Sequence, residues 1–121
     1  MKVLSVRQPW AWAIIAGHKT IENRRWSTTY RGPLLIHAGQ KMRIQDYRRL
    51  LDYGDEDGFQ VPEREDLHLG GIIGKAVLVD IVTKAKGNPW FEGPYGWCLV
   101  EPRKLPFRPL LGKLRLFEEA E

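Results

Sequence analysis

Cysteine is almost absent from this chain, and most specialised chemistries leave with it. Cys98 is the only one in 121 residues, so no internal disulfide forms and no thiolate zinc cluster can be built. It sits in the apolar run Trp97-Cys98-Leu99-Val100, which reads as a buried strand residue rather than a nucleophile. Histidine is scarce too: His18, His37 and His68 have no helical i, i+4 spacing, so neither a metal nor a cofactor is expected. Ser5 has no histidine and acid partner legible from spacing, which leaves no argument for a Ser-His-Asp triad. There is no Gly-rich phosphate loop, no βαβ repeat and no low-complexity tract. No apolar run approaches the ~20 residues of a membrane span. The stretch Met1 to Arg7 is too short in apolar residues for a secretory signal, so a cytoplasmic protein without a membrane partner is the expectation.

What is present suits one folded domain over residues 1–121, with 43% hydrophobic residues to fill a core. Charge is unevenly spread: residues 1–49 carry +8, residues 50–66 carry −6 and residues 67–121 carry +2. The basic first part interleaves arginines with Trp10, Trp12, Trp26 and Tyr30, a mixture that grips phosphates and stacks on bases. Asp52 to Asp66, with Gly54, Gly58 and Pro62, reads as an acidic loop that a polyanion would avoid. Arg43, Arg48 and Arg49 fall on a predicted helix from Lys41 to Leu51, equally compatible with a solvated face and with a ligand-facing one.

The patterning predicts strands at Lys2–Arg7, Thr20–Arg24, Pro33–Ala38, Gly71–Val82 and Trp97–Glu101, with Lys113–Phe117 closing the domain. Pro9 to Ala16 is a short apolar helix that stops at Gly17, and the charged set Lys19, Glu22 and Arg24 begins where it ends. On a strand, Glu22 and Arg24 share one face, with Lys19 at its entrance. An exposed ion pair of that kind would contribute only roughly 0 to 1 kcal/mol. Strands outnumber helices, and an α+β fold built as a small mixed β-barrel with one or two attached helices is expected.

Several blocks occur together: Ser5-Val6-Arg7-Gln8-Pro9-Trp10, Gly17-x-Lys19-x-x-Glu22-x-Arg24, Tyr30-Arg31-Gly32-Pro33, Ile36-His37-Ala38-Gly39, Gly71-Ile72-Ile73-Gly74 and Gly93-Pro94-Tyr95-Gly96-Trp97. In this order they resemble the ASCH domain family of the PUA-like superfamily, from Leu4 to about Phe117. The resemblance implies a small RNA-associated β-barrel with a cleft between its first helix and the barrel. In this chain that cleft would be lined by Arg7, Gln8, Trp10, Lys19, Glu22, Arg24, His37 and Tyr95. Lys19 and Arg24 would attract phosphate, Trp10 or Tyr95 would stack on a base, and Glu22 or Gln8 would read an exocyclic amine or hydroxyl. Trp97 is expected in the core and Tyr95 at the pocket, while His37 reads as a satisfied strand-end histidine that could line the same cavity.

The leading expectation is therefore a module that binds RNA or a nucleotide-like ligand. The alternative is a small hydrolase, because some ASCH-like proteins hydrolyse acetylated cytidine with a lysine in the Gly-x-Lys motif, and others are linked to metal-dependent RNA cleavage. Lys19 matches that lysine, and Lys19 with Glu22 would be the catalytic residues. Those hydrolases carry threonine three positions after the lysine, where this chain has Glu22. A neighbouring carboxylate is also expected to raise the lysine pKa, against the needs of a nucleophile or base.

Overall fold

Alternating apolar residues make strand β1 (Lys2–Gln8), in which Val3, Leu4 and Val6 are buried and Arg7 is exposed. In the computed structural model, which describes residues 1–120, helix α1 (Trp10–Ile15) follows directly, with Pro9 at its cap position. Proline has no side-chain acceptor for the free N–H groups of the first turn. Gln8 supplies one: its Oε1 accepts from the Trp12 backbone N–H at 2.9 Å. Gly17, at φ 88°, ends the helix, and the next two backbone N–H groups both donate to the Ala13 carbonyl.

The remaining elements are β2 (Ile21–Arg24), β3 (Gly32–Met42), α2 (Ile44–Asp57), a 3₁₀ turn at Arg64–Asp66, β4 (Gly71–Val82), β5 (Tyr95–Pro109) and β6 (Leu116–Glu118). They form a six-stranded sheet in the order β2-β5-β4-β3-β1-β6. β1 runs parallel to β3, and the other pairings are antiparallel. No ladder joins β2 to β6 among the described residues, so the fold is α+β with an open sheet in place of the closed barrel expected from the sequence. The cause is length: β2 has four residues, and β6 has three that reach only Lys2 to Leu4 of β1.

Leu34 to Ala38 of β3 are all buried, because both faces of this strand are covered. One face carries the main core of Leu4, Val6, Leu34, Ile36, Leu78 and Trp97, sealed by Ala11 and Ile14 of α1. The other gathers Val3, Leu35 and Ile72 against Leu105 and Phe117. A third cluster joins α1 to α2 through Ala13, Leu50 and Trp90.

Two expectations change here. Helix α2 runs on to Asp57, through most of what reads as an acidic loop, and ends at Gly58 in the left-handed conformation. Acidic residues at a helix C-terminus oppose its dipole, yet burial of Tyr47 and Leu50 overrides that local preference. β3 and β5 also extend past their expected ends at Ala38 and Glu101, to Met42 and Pro109.

Gly74 shows how closely α1 is seated on the sheet. A Cβ there would lie 2.5 Å from the Arg103 carbonyl oxygen and 2.7 Å from Ile15 Cδ1 of α1. Gly74→Val is therefore expected to destabilise the protein by about 1–3 kcal/mol through overpacking. Urea denaturation checks this: the midpoint falls with the m-value unchanged.

Candidate functional site

The place where the sheet fails to close is where the polar residues converge. β6 covers the outer edge of β1 only as far as Leu4, so the Ser5 carbonyl meets no strand there. Arg24 of β2 meets it instead, donating from Nη2 to the Ser5 oxygen. A cleft of about 1000 Å³ occupies this seam. β1, β2 and β3 contribute to it, α2 and the segment at Trp90–Glu92 form further walls, and residues 111–115 lie along it.

Lys19, Glu22 and Arg24 lie on that cleft as one chain of charges. Lys19 Nζ is 3.4 Å from Glu22 Oε1, and Arg24 Nε is 3.2 Å from Glu22 Oε2. The second contact is a charge pair off the hydrogen-bonding line, since Arg24 Nε has no hydrogen-bond partner among the described residues. Lys19 is 5% exposed, donates to the Ile21 carbonyl, and lies 5.9 Å from the ring centres of both Trp10 and Trp90. Burial drives its pKa below the ordinary 10.5, against the opposing pull of the Glu22 carboxylate. The expectation that Glu22 would set the direction is thus reversed. Desolvation of an amine between two indoles outweighs one carboxylate.

The wall opposite comes from α2. Arg43, Asp46, Arg49 and Tyr53 recur at spacings of three, three and four, which places them on one helical face. Asp46 is buried, 3.2 Å from Arg43 Nε and 3.9 Å from Arg49 Nη1. Arg49 also pairs with Glu92 and lies 5.3 Å over the Trp10 ring. Arg115 covers Trp26 at 5.1 Å. Seven basic and three acidic side chains line the cleft in all, so it holds a marked excess of positive charge.

Of the residues singled out in the sequence, Arg7, Trp10, Lys19, Glu22, Arg24 and His37 line the cleft. Gln8 does not: it is 1% exposed, and its amide is consumed by the Trp12 N–H and the His68 carbonyl. Tyr95 does not either, because its half-buried ring sits against the main core, where Trp97 is fully buried as expected. His37 lies inside β3 rather than at a strand end, bonded to Ser5 at 2.8 Å and to the Leu110 carbonyl at 2.6 Å. Ser5 thus has the histidine partner that sequence spacing conceals, although the acid position is taken by a carbonyl. Cys98 is half-buried on β5, and burial followed by the charge of Asp80 raises its thiol pKa, away from a reactive thiolate. Among the described residues no three His, Cys, Asp or Glu side chains converge to hold a metal ion, and no helix is long and apolar enough to cross a membrane.

Several lining residues carried no warning in the sequence. Tyr53 lies beyond the predicted end of its helix, and Trp90, Glu92 and Arg115 come from segments distant in the chain. The three-residue recurrence of Arg43, Asp46 and Arg49 within the predicted helix was the one available signal, and only its continuation to Tyr53 needs the helix at its full length.

Comparison with known proteins places the architecture. The chain is 27% identical to human activating signal cointegrator 1 over 95% of its own length, and 32% identical to the mouse protein of that name over 73%. It spans only 22% and 16% of those two proteins. The crystal structure of an ASCH protein from Zymomonas mobilis superposes with a TM-score of 0.57 at 18% identity, covering 90% of this chain and 73% of that one. A mutant of the same bacterial protein gives 0.55. The ASCH domain model matches residues 4–105. That match takes in most of β1, all of β2 to β4, most of β5 and the whole Lys19-Glu22-Arg24 cluster, and the chain therefore belongs to the ASCH domain family, with its PUA-like fold.

Proposed function

We propose that the seam cleft binds single-stranded RNA or a nucleotide-like ligand. One observation carries this reading: seven cations against three anions line a single cleft whose walls include Trp10, Trp26 and Trp90. Basic side chains hold phosphates, and indole faces stack on bases without regard to sequence. Arg7, exposed at the cleft and without an ion pair among the described residues, and Arg43 at its rim are suited to phosphate. Glu22 and Asp46, held between cations, offer acceptors for an exocyclic amine or a ribose hydroxyl. Trp26 takes the stacking role that the sequence suggested for Tyr95. The cytoplasm remains the compartment we assign, where the lone thiol of Cys98 stays reduced.

The affinity for a short single-stranded RNA is expected to fall with salt, with a log-log slope of roughly −2 if three phosphates are neutralised. Arg7→Ala should weaken binding several-fold, on the order of 1 kcal/mol for a lost charge-assisted bond, and flatten the slope. Asp55→Asn, on the far end of α2, should not weaken it. Fluorescence anisotropy across a salt series measures all three, and affinity indifferent to salt would sink the phosphate-contact reading.

A second reading, hydrolysis of a modified nucleoside, draws support from the lowered pKa of Lys19. Lys19→Arg keeps the charge but not an amine that can deprotonate. If Lys19 only binds, Lys19→Arg retains most RNA affinity, and wild type shows no turnover of acetylated cytidine or of a short RNA with Mg²⁺ or Mn²⁺. Turnover that is lost in Lys19→Arg while binding persists would replace the binding reading with the hydrolase.

The amine also leaves a mark on stability. Its folded pKa lies below the 10.5 of the free side chain, so between the two values the unfolded chain binds more protons and stability rises with pH. Below that window the full cost of burying the charged amine is felt. Relative to Lys19→Met, the wild type should therefore gain stability as pH rises toward 10.5, read from denaturant midpoints at several pH values. A constant difference between the two proteins would contradict a lowered amine.

A further inference from the structure

We propose that Ser5 and His37 form a nucleophile and base pair that gives the cleft a covalent acyl-transfer activity. The two residues are register partners on the parallel strands β1 and β3, which turns their side chains to the same face. The β3–β4 ladder shifts register between Ile36 and His37, an irregularity of the kind that re-aims a side chain.

The hydrogen bonds settle which nitrogen is basic. His37 Nε2 is 2.6 Å from the Leu110 carbonyl oxygen, which can only accept, so Nε2 carries the proton. Nδ1 is then the bare lone pair, and Ser5 Oγ–H donates to it at 2.8 Å. The imidazole, 1% exposed, is held at both nitrogens and cannot swing away. Ser5 remains part-exposed on the cleft wall. Gly112 keeps it so, because a Cβ there would lie 3.1 Å from Ser5 Oγ and 2.8 Å from His37 Cε1. Both Leu110 and Gly112 fall outside residues 4–105 matched by the family, so this arrangement depends on the chain's own C-terminal segment.

In the step this geometry allows, Ser5 Oγ bonds to the acyl carbon of an ester and its proton passes to His37 Nδ1. The tetrahedral adduct collapses, the bond to the leaving oxygen breaks, and that oxygen takes the proton back from Nδ1. Water then releases the acid by the same proton path in reverse. The imidazolium formed in between is stabilised by the Leu110 carbonyl dipole in place of a carboxylate, so the reaction is slower than with a full triad. Arg24, anchored on the Ser5 carbonyl, sets a cation beside the nucleophile. The excess of basic side chains selects an acyl group on an anionic carrier. Only that choice of carrier rests on the binding reading above; the reactivity of Ser5 does not.

The test uses the intact protein and an uncharged alkyl fluorophosphonate. On labelling, the Oγ–P bond forms, the P–F bond breaks, fluoride leaves and the hydroxyl proton goes to His37. The chain has two serines, and Ser27 is exposed with no imidazole bonded to it among the described residues, so it serves as an internal standard in the same molecule. Peptide mapping should show Ser5 labelled about 10²-fold or more faster than Ser27 in the folded wild type, with the preference lost in guanidinium. p-Nitrophenyl acetate should leave an acetyl group on Ser5, releasing a burst of one equivalent of nitrophenolate per chain before slower turnover as water removes the acetyl group. His37→Gln, folded by circular dichroism, should bring the Ser5 rate down to that of Ser27. A Ser5 rate no greater than that of Ser27 in the folded wild type overturns the proposal without recourse to any variant, as does an undiminished preference in folded His37→Gln.

Discussion

The bond from Arg24 to the Ser5 carbonyl is the contact on which the site depends. A strand edge must place its free carbonyls somewhere, and on its β6 side β1 has no strand partner after Leu4 among the described residues. Had β2 and β6 been long enough to pair, that carbonyl would be satisfied by backbone and the seam would be shut. A guanidinium on a flexible stem does the same work from a distance and leaves a gap. Because Arg24 is committed to Ser5 at one end, its Nε is delivered to Glu22 at the other. Glu22 in turn receives Lys19 on its second oxygen. The charge cluster is thus an extension of the edge problem of one strand.

Such a cluster is a poor way to stabilise a fold. Desolvating a lysine and a carboxylate costs several kcal/mol per ion before their attraction returns any of it, and well-packed apolar residues would do at least as well. Two tryptophans around Lys19 confirm how dry its surroundings are. What the arrangement does supply is fixed direction: amine, carboxylate and guanidinium are held in place before any ligand arrives. A site organised in this way loses little ordering entropy on binding. The same dryness holds the Lys19 pKa down, so the residue that anchors the cluster gives up its proton more readily than an exposed lysine does.

Local signals in the chain were legible where local physics decides. Gly17 ends α1 because only a left-handed residue turns the chain there, and strand alternation brings Glu22 and Arg24 together with Lys19 at the strand's entrance. Gln8 was misread for an instructive reason. The family resemblance put Gln8 in the cleft, but Pro9 cannot cap its own helix and the Gln8 side chain caps it instead. Tyr53 was hidden by composition, since four exposed acidic residues around Gly54 resemble a loop until Leu50 and Tyr47 are seen to bury the helix. The Ser5–His37 bond spans 32 residues and follows from a parallel pairing that no periodicity reveals.

The C-terminal segment brings the last part of the cleft into place, and it does so with few contacts of its own. Leu111 is 73% and Leu114 92% exposed, so apolar burial does little to hold this stretch down. Arg115 adopts φ 58°, a conformation that costs an ordinary residue roughly 1–2 kcal/mol. Against this stand the His37–Leu110 bond, the stacking of Arg115 on Trp26 and Lys113 over Phe117 at 5.8 Å. Each of these contacts uses a group that also faces the cleft or braces β6. Filling the cleft with an anion would neutralise Lys113 and Arg115 and so relieve their repulsion from the other basic side chains around it. An anion in the cleft would therefore be coupled to the position of this segment. Because the segment's Leu110 carbonyl also fixes the tautomer of His37, the binding proposed for the seam and the reactivity proposed for Ser5 would draw on the same few residues.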